Sequence, residues 1–244
     1  MCTVTWVRRP DGYDFLCSRD ERVTRLPATG PEVRELRGLR YVSPLDGDFG
    51  GTWITVNELG VTMCLLNGYG DETPEPPGGW TSRGLLLADI ADSDDAQDAR
   101  RRILDRDLSD FRPFVLVVCT PSRTPTQVRW TGRSLELDGA VQPPIISSGG
   151  DEGAAREARR EQLESLLRTA RRPNLALLEG YHRSHEPERG ALSVCVHAEE
   201  AKTVSLSVVS VRDAMIAFRY EAGSPCERAA PEEVAIARIP YRLG

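Results

Sequence analysis

The sequence predicts an α+β protein dominated by antiparallel strands. Three observations carry that reading. Short runs rich in Val, Ile, Thr and aromatics recur along the chain and fall in pairs around turn residues. Helical patterns gather in two blocks, residues 82–106 and 151–180, rather than following every strand. Hairpins with helices set apart fit packed layers better than alternating βαβ units.

Residues 3–7 and 13–18 are β-rich and flank Pro10-Asp11-Gly12, which reads as a hairpin. Residues 21–48 are polar and carry Pro27, Gly30, Pro31, Pro44 and Gly47, so a long surface excursion is expected. Residues 52–56 and 61–66 form a second hairpin around Asn57-Glu58-Leu59-Gly60. Residues 67–81 hold too much Gly and Pro for helix or central strand. Ser82 can cap a short helix that reaches Ile90, and residues 94–106 read as a charged surface helix.

Residues 114–119 are a continuous apolar strand, and residues 127–131 and 135–138 a hairpin around Gly132. Ile145 and Ile146 end a short strand at Ser147-Ser148. The longest helix covers residues 151–170, with an apolar stripe of Ala155, Leu163, Leu166, Leu167 and Ala170. Residues 173–180 add another helical turn or two. Strands are expected at 192–197, 203–211 and 214–220, with an edge strand at 234–241. No repeat or linker interrupts this order, so one domain over residues 1–244 is expected.

A chain of 244 residues, 40% hydrophobic and 28% charged, can bury a sizeable core. The net charge of −6 argues against non-specific nucleic-acid binding, which needs a basic face. No apolar run reaches the roughly 18 residues of a membrane span, and the start lacks a secretory pattern. A cytoplasmic protein with a small-molecule partner is expected; oligomeric state is left open. The six cysteines include no CxxC pair. Cys17, Cys64, Cys119 and Cys195 lie in apolar runs, where free cysteine acts as a small hydrophobe.

The chemistry concentrates at the start. If Met1 is removed, Cys2 carries both a thiol and a free α-amine, a nucleophile and a base on one residue. An amine of pKa about 7.7–8.0 can accept and return a proton near neutral pH. A hairpin turning at residues 10–12 sets residues 2–5 across from 17–20, so Arg19 can reach the thiol and favour its thiolate. Read without further context, Arg19-Asp20-Glu21 also suits a solvated strand end, Asn67 a turn, and Trp53 the core. His182, His185 and Glu186 lack an obvious third partner and read as surface loop, and His197 as a satisfied strand-end residue, so no metal is expected. Gly68-Tyr69-Gly70 lacks a phosphate-loop pattern, and no cofactor is implied.

Met1-Cys2-Thr3 with Ser18-Arg19-Asp20-Glu21 resembles the NRDE family, also called the transport and Golgi organization family. The family motif begins with Asn where this chain has Ser18. Gly51-Thr52-Trp53, Ser82-Arg83-Gly84, Thr203-Val204-Ser205 and Gly223-Ser224-Pro225-Cys226 also look like that family. More distantly, Cys2, Arg19 and residues 56–60 leading to Leu66-Asn67 are similar to the choloylglycine hydrolase and penicillin V acylase group. Both groups are assigned to the N-terminal-nucleophile (Ntn) hydrolases, which implies an αββα sandwich of two antiparallel sheets with outer helices.

The resemblance implies a cysteine amidase or acyltransferase acting on a small amide or acyl conjugate. Cys2 would attack, Arg19 and Asp20 would tune it, with Asp20 orienting the amine, and Asn67 would stabilise an oxyanion. Ser147 stands where the acylases carry Asn, and is shorter with one hydrogen to donate. Trp53 and Tyr69 are further candidate substrate contacts, and Lys202 or Arg219 could serve as the group's late basic residue. The alternative is a non-catalytic binding or trafficking protein on the same scaffold, with a haem or lipid-like ligand.

Overall fold

The structure, a computed structural model, describes residues 2–68, 74–148 and 152–240. Its first six strands are β1 (Cys2–Arg9), β2 (Gly12–Arg22), β3 (Thr29–Leu36), β4 (Leu39–Leu45), β5 (Ile54–Asn57) and β6 (Thr62–Asn67). Helices α1 (Arg83–Asp89) and α2 (Ala96–Leu104) follow, then β7 (Phe114–Cys119), β8 (Thr126–Trp130), β9 (Leu135–Asp138) and β10 (Ile145–Ser147). Helices α3 (Glu152–Thr169) and α4 (Leu175–His182) precede β11 (Ala201–Val211), β12 (Met215–Ala222) and β13 (Glu232–Ala237).

The strands form two antiparallel sheets. One runs β10-β1-β2-β11-β12-β13, the other β3-β4-β5-β6-β7-β8-β9. Side chains alternate across each strand, so each sheet has two buried faces to cover. Val4, Trp6, Phe15 and Cys17 meet Ile54, Val56, Cys64 and Leu66 between the sheets. On the outer face of the seven-stranded sheet, Met63, Leu65 and Leu116 pack with Leu87, Ile90, Ala99 and Ile103 of α1, α2 and their flanks. On the outer face of the other, Leu16, Leu206 and Val208 pack with Leu163 and Leu178 of α3 and α4. The result is the expected αββα sandwich. Tyr13 stitches the sheets together, because its buried hydroxyl donates to Gly60 O, 2.8 Å away, and accepts from Thr62 N.

Three expectations are corrected. Residues 29–45 are not an irregular excursion but the β3–β4 hairpin, turning at Arg37 and Gly38, both with positive φ. β3 is a mostly exposed edge strand, where Pro31 is tolerated and the polar composition mimics a loop. Residues 192–197 are buried at Val194, Cys195 and Val196 yet form no strand, only an isolated bridge between His197 and Lys202. Burial there comes from loop packing, which reads like a strand in sequence. α2 is more than a surface helix, since Ala96, Ala99 and Ile103 are buried behind an Asp95 cap.

Two of the short motifs meet in space. Thr52 N donates to Gly84 O at 3.1 Å, and a Cβ on Gly51 would lie 2.5 Å from the carbonyl carbon of Gly84. Only glycine lets these backbones approach so closely. Gly51→Ala is expected to destabilise the fold by about 1–3 kcal/mol, the range for forcing atoms into a filled site, read as a lower urea midpoint with unchanged slope.

Candidate active site

Cys2 opens β1 with its side chain buried between the sheets. It sits opposite Arg19 on β2 and opposite Ser147 on β10. Directly opposed residues share a face, so Cys2, Arg19 and Ser147 lie side by side across three strands. The Arg19 guanidinium, however, turns to carboxylates. It donates to Asp46 and, at 3.1 Å, to Glu21, and stacks 4.4 Å from the centre of the Trp53 ring.

The Cys2 thiol is correspondingly not a thiolate. A hydrogen bond with Cys17, burial and nearby Asp20 push its pKa well above the ordinary value. Cys17 and Cys64 continue the row of thiols with sulfurs 3.5 Å apart; against an opposing hydrogen bond with Cys2, the Cys17 pKa is raised by its bond with Cys64 and by burial, and burial raises Cys64. The expected lowering by Arg19 is not found: that arginine, though in register with Cys2, is paired with Asp46 and Glu21.

Behind β1 and β2 lies a second polar layer. Asp20 is fully buried; its Oδ1 accepts from Thr203 Oγ1 at 2.6 Å, and its Oδ2 lies 3.6 Å from Nη1 of Arg159. The same Nη1 donates to Thr3 Oγ1 at 2.8 Å, and the Arg159 head also holds the carbonyls of Ala191 and Leu192. Arg159 is a functional candidate that the sequence reading missed, and Thr203, singled out there only within a family-like stretch, gains a role as the partner of Asp20. The signal for Arg159 was present: it stands between Ala155 and Leu163 on the apolar stripe of α3, where an arginine needs a buried partner.

His182 is not in a surface loop. It is fully buried, with its ring nitrogens 2.8 Å from Thr5 Oγ1 and 2.7 Å from Ser18 Oγ. Ser18, the departure from the family motif, thus partners a histidine brought in by α4. Burial, with Arg159 and Arg183 nearby, lowers the His182 pKa to about 3.

A cavity of about 590 Å³ reaches Ser147, the residue opposite Cys2, while Cys2 itself is not on its wall. Ser147, Asn67 and Leu66 are on its wall, and Arg129, Arg156 and Arg160 with Glu152 are among its charged lining. Ser147 Oγ is buried and has no hydrogen-bond partner among the described residues. Asn67 is half-buried and lines the cavity, but it pairs with Phe114, whose side chain belongs to the helix-side cluster, so Asn67 lies on the face opposite the one that Cys2 occupies. Trp53 is core, with the Arg19 guanidinium over its ring and the Tyr220 ring tilted against it, and is not part of the cavity wall. Lys202 is exposed and Arg219 pairs with Glu179, both away from the cavity. Met1 and Tyr69 lie outside the described residues.

Two antiparallel sheets face to face with helices outside make the Ntn-hydrolase-like class of fold. Within it, the chain belongs to the family described as Transport and Golgi organisation 2, whose model matches residues 1–213. No curated protein sequence matches it. Similar solved structures include a C2A mutant of conjugated bile acid hydrolase from Clostridium perfringens, with TM-score 0.57 and 10% identity over 96% of this chain and 92% of that one. Penicillin V acylase from Agrobacterium tumefaciens gives TM-score 0.60 and 12% identity over 97% and 86%. Both share the fold. No helix among the described residues is long and apolar enough to cross a membrane.

The buried neutral His182 makes stability fall with acid. Unfolded, it takes up a proton below its ordinary value of 6.5; folded, it refuses one until about 3. Its contribution is therefore whole above pH 6.5 and declines as pH drops through the window between those values. Denaturant melts should show a loss of about 2 kcal/mol between about pH 7 and pH 5. His182→Asn should be less stable at neutral pH and show a much flatter profile across that window.

Proposed function

We propose that the chain is an Ntn-type cysteine amidase or acyltransferase acting on a small acyl conjugate with an anionic end. The observation that carries this is the unpartnered Ser147 hydroxyl, buried on a cavity wall directly opposite Cys2. A buried polar group without a partner is expensive unless a ligand supplies one. The arginines among the cavity's lining residues favour a carboxylate or similar anion on the substrate. The bile acid hydrolase that shares the fold was solved as a C2A mutant, so it too has cysteine at its second position.

The chemistry requires removal of Met1. The register that sets Arg19 opposite Cys2 puts Asp20 one step further, on the side of the Cys2 backbone nitrogen. There it would hold and orient the freed α-amine. On attack, the Cys2 sulfur bonds to the substrate carbonyl carbon and the thiol proton passes to the amine. Ser147 Oγ donates to the oxyanion, and Asn67, on the cavity wall but on the other face of its strand, would reach it only by turning around the sheet edge. The carbon–nitrogen bond then breaks, and the amine returns its proton to the leaving nitrogen. Water or a second nucleophile resolves the thioester.

A second reading, a binder without turnover, is favoured by the protonated, buried thiol. Its haem version gains nothing from the histidines, because none of the three lies on the cavity wall. The test is amine release from a panel of N-acyl amino acids by tag-free protein whose N-terminus is read by mass spectrometry. Turnover should appear only in chains that begin with Cys2, and fall more than about 10³-fold in Cys2→Ala. Ser147→Ala should lower kcat by about 10²-fold. Binding of the same conjugates without release by Cys2-first protein would instead establish the binder.

A further inference from the structure

Away from the cavity, three segments bring four ligating side chains together. His185 follows α4, Cys195 and His197 lie in the loop before β11, and Cys226 sits in the turn after β12. Each places a ligand atom within 4.8 Å of the other three. Cys195 Sγ is 3.5 Å and Cys226 Sγ 3.4 Å from His197 Nε2. The two imidazole rings stand 5.1 Å apart at 67°. His185 Nε2 is buried and has no hydrogen-bond partner among the described residues.

Thiol–imidazole hydrogen bonds alone would account for two of these contacts and leave His185 Nε2 orphaned. A central ion accounts for all four groups. A tetrahedral ion with metal–sulfur bonds of about 2.3 Å and metal–nitrogen bonds of about 2.0–2.1 Å sets sulfur–nitrogen edges near 3.6 Å. The edges of 3.5 and 3.4 Å are already close to that. Two thiolates and two imidazoles in a tetrahedron are the donor set that suits zinc.

We propose that His185, Cys195, His197 and Cys226 form a closed, structural site for a zinc(II)-class ion. The expectation of no metal rested on His182 and His185 as the pair; the fold instead sends His182 to Thr5 and Ser18 and recruits His197 and two cysteines. On binding, each thiol releases one proton to solvent, and the two thiolates balance the 2+ charge. His197 coordinates through Nε2 and keeps its hydrogen on Nδ1, so the 3.3 Å contact of Arg189 with Nδ1 is given up. With four protein ligands no position is left for a reacting water.

The ion would tie the 183–200 loop to the turn after β12. Thr203 lies between the two and Asp20. Val196 N donates to Thr203 Oγ1 at 2.7 Å, Thr203 Oγ1 donates to Asp20 Oδ1, and Ser224 Oγ donates to Thr203 O at 3.1 Å. The site therefore braces the wall that holds Asp20. It stands independently of the proposed reaction, because metal content is read without substrate.

The test uses tag-free, reduced, chelator-stripped protein titrated with cobalt(II) and then zinc(II). One cobalt per chain is expected, with the strong visible bands of tetrahedral coordination and a near-ultraviolet thiolate charge-transfer band. One equivalent of zinc should bleach both and raise Tm by several degrees. Cys226→Ser, at a half-exposed position, should lose the charge-transfer intensity and the Tm gain while keeping the far-ultraviolet circular dichroism. His185→Ala should weaken cobalt binding at least tenfold, and Cys2→Ala should leave it unchanged. Octahedral cobalt spectra, a tetrahedral spectrum that survives Cys226→Ser unaltered, or a Cys195–Cys226 disulfide in the unreduced protein would overturn the proposal.

Discussion

The register between β1 and β2 is the constraint on which the rest depends. Strand side chains alternate strictly, so a slip of one residue would move Cys2 from the face between the sheets to the helix-covered face. Thr3, which now meets Arg159 on that outer face, would take its place. Several independent contacts hold the register. At the turn, a Cβ on Gly12 would come within 2.0 Å of the Val211 carbonyl oxygen. Near it, the Tyr13 hydroxyl reaches across to the second sheet. At the far end, Asp20 is locked to Thr203 of the neighbouring strand. These contacts fix β2, and His182, which bridges Thr5 of β1 and Ser18 of β2, fixes β1 against it. A slip of β1 would break that bridge and the Thr3–Arg159 bond, leaving buried partners unpaired at a cost of about 1–3 kcal/mol each.

The same register explains why the region tolerates so much buried charge. Arg19 and Asp20 are neighbours but face opposite ways, so their partners lie in different layers. Arg19 is neutralised between the sheets by Asp46 and Glu21, whereas Asp20 is matched on the helix side by Arg159. Removing one member of such a pair leaves a buried charge uncompensated, which is costlier than never having built the pair. The Arg-Asp-Glu run thus splits its charges between two layers, Arg19 and Glu21 between the sheets and Asp20 on the helix side.

Much of this was legible in the sequence. The opening hairpin, the apolar strand at residues 114–119 and both helix blocks follow from periodicity and turn chemistry, and the Cys2–Arg19 pairing from hairpin geometry. Residues 29–45 were not legible, because an exposed edge strand carries the composition of a loop. Asn67 illustrates a different limit. Its place at a strand end is visible in sequence, but the layer that a strand-end side chain joins is set by its partner, here Phe114. The polar layer around Asp20 is assembled from distant parts of the chain: Arg159 and Thr203 lie 139 and 183 positions beyond Asp20 in sequence, by subtraction of their numbers. Composition alone cannot align such residues, although an arginine in an apolar stripe announces that a buried partner exists. The His–Cys cluster was hidden for the same reason, since Cys226 comes from a turn on the far side of two strands.

The thiol row bears on which chemistry the site can support. A cysteine that stores its nucleophile as a thiolate needs a positive charge beside it, and the one arginine in register with Cys2 is occupied by carboxylates. The Cys2 thiol is instead kept neutral by Cys17, burial and Asp20. Such a thiol reacts only if a base accepts its proton during attack. The histidines are committed elsewhere, His182 to Thr5 and Ser18, His185 and His197 to the cysteine cluster. In the proposed reaction, an amine base carried by Cys2 itself would solve this without any further side chain, once the residue before Cys2 is gone. Within that proposed reaction, burial of the thiol, neutralisation of Arg19 and the Asp20 carboxylate one register step from Cys2 would serve one arrangement. The intact chain would hold a quiet thiol, and exposure of the amine would supply the missing base.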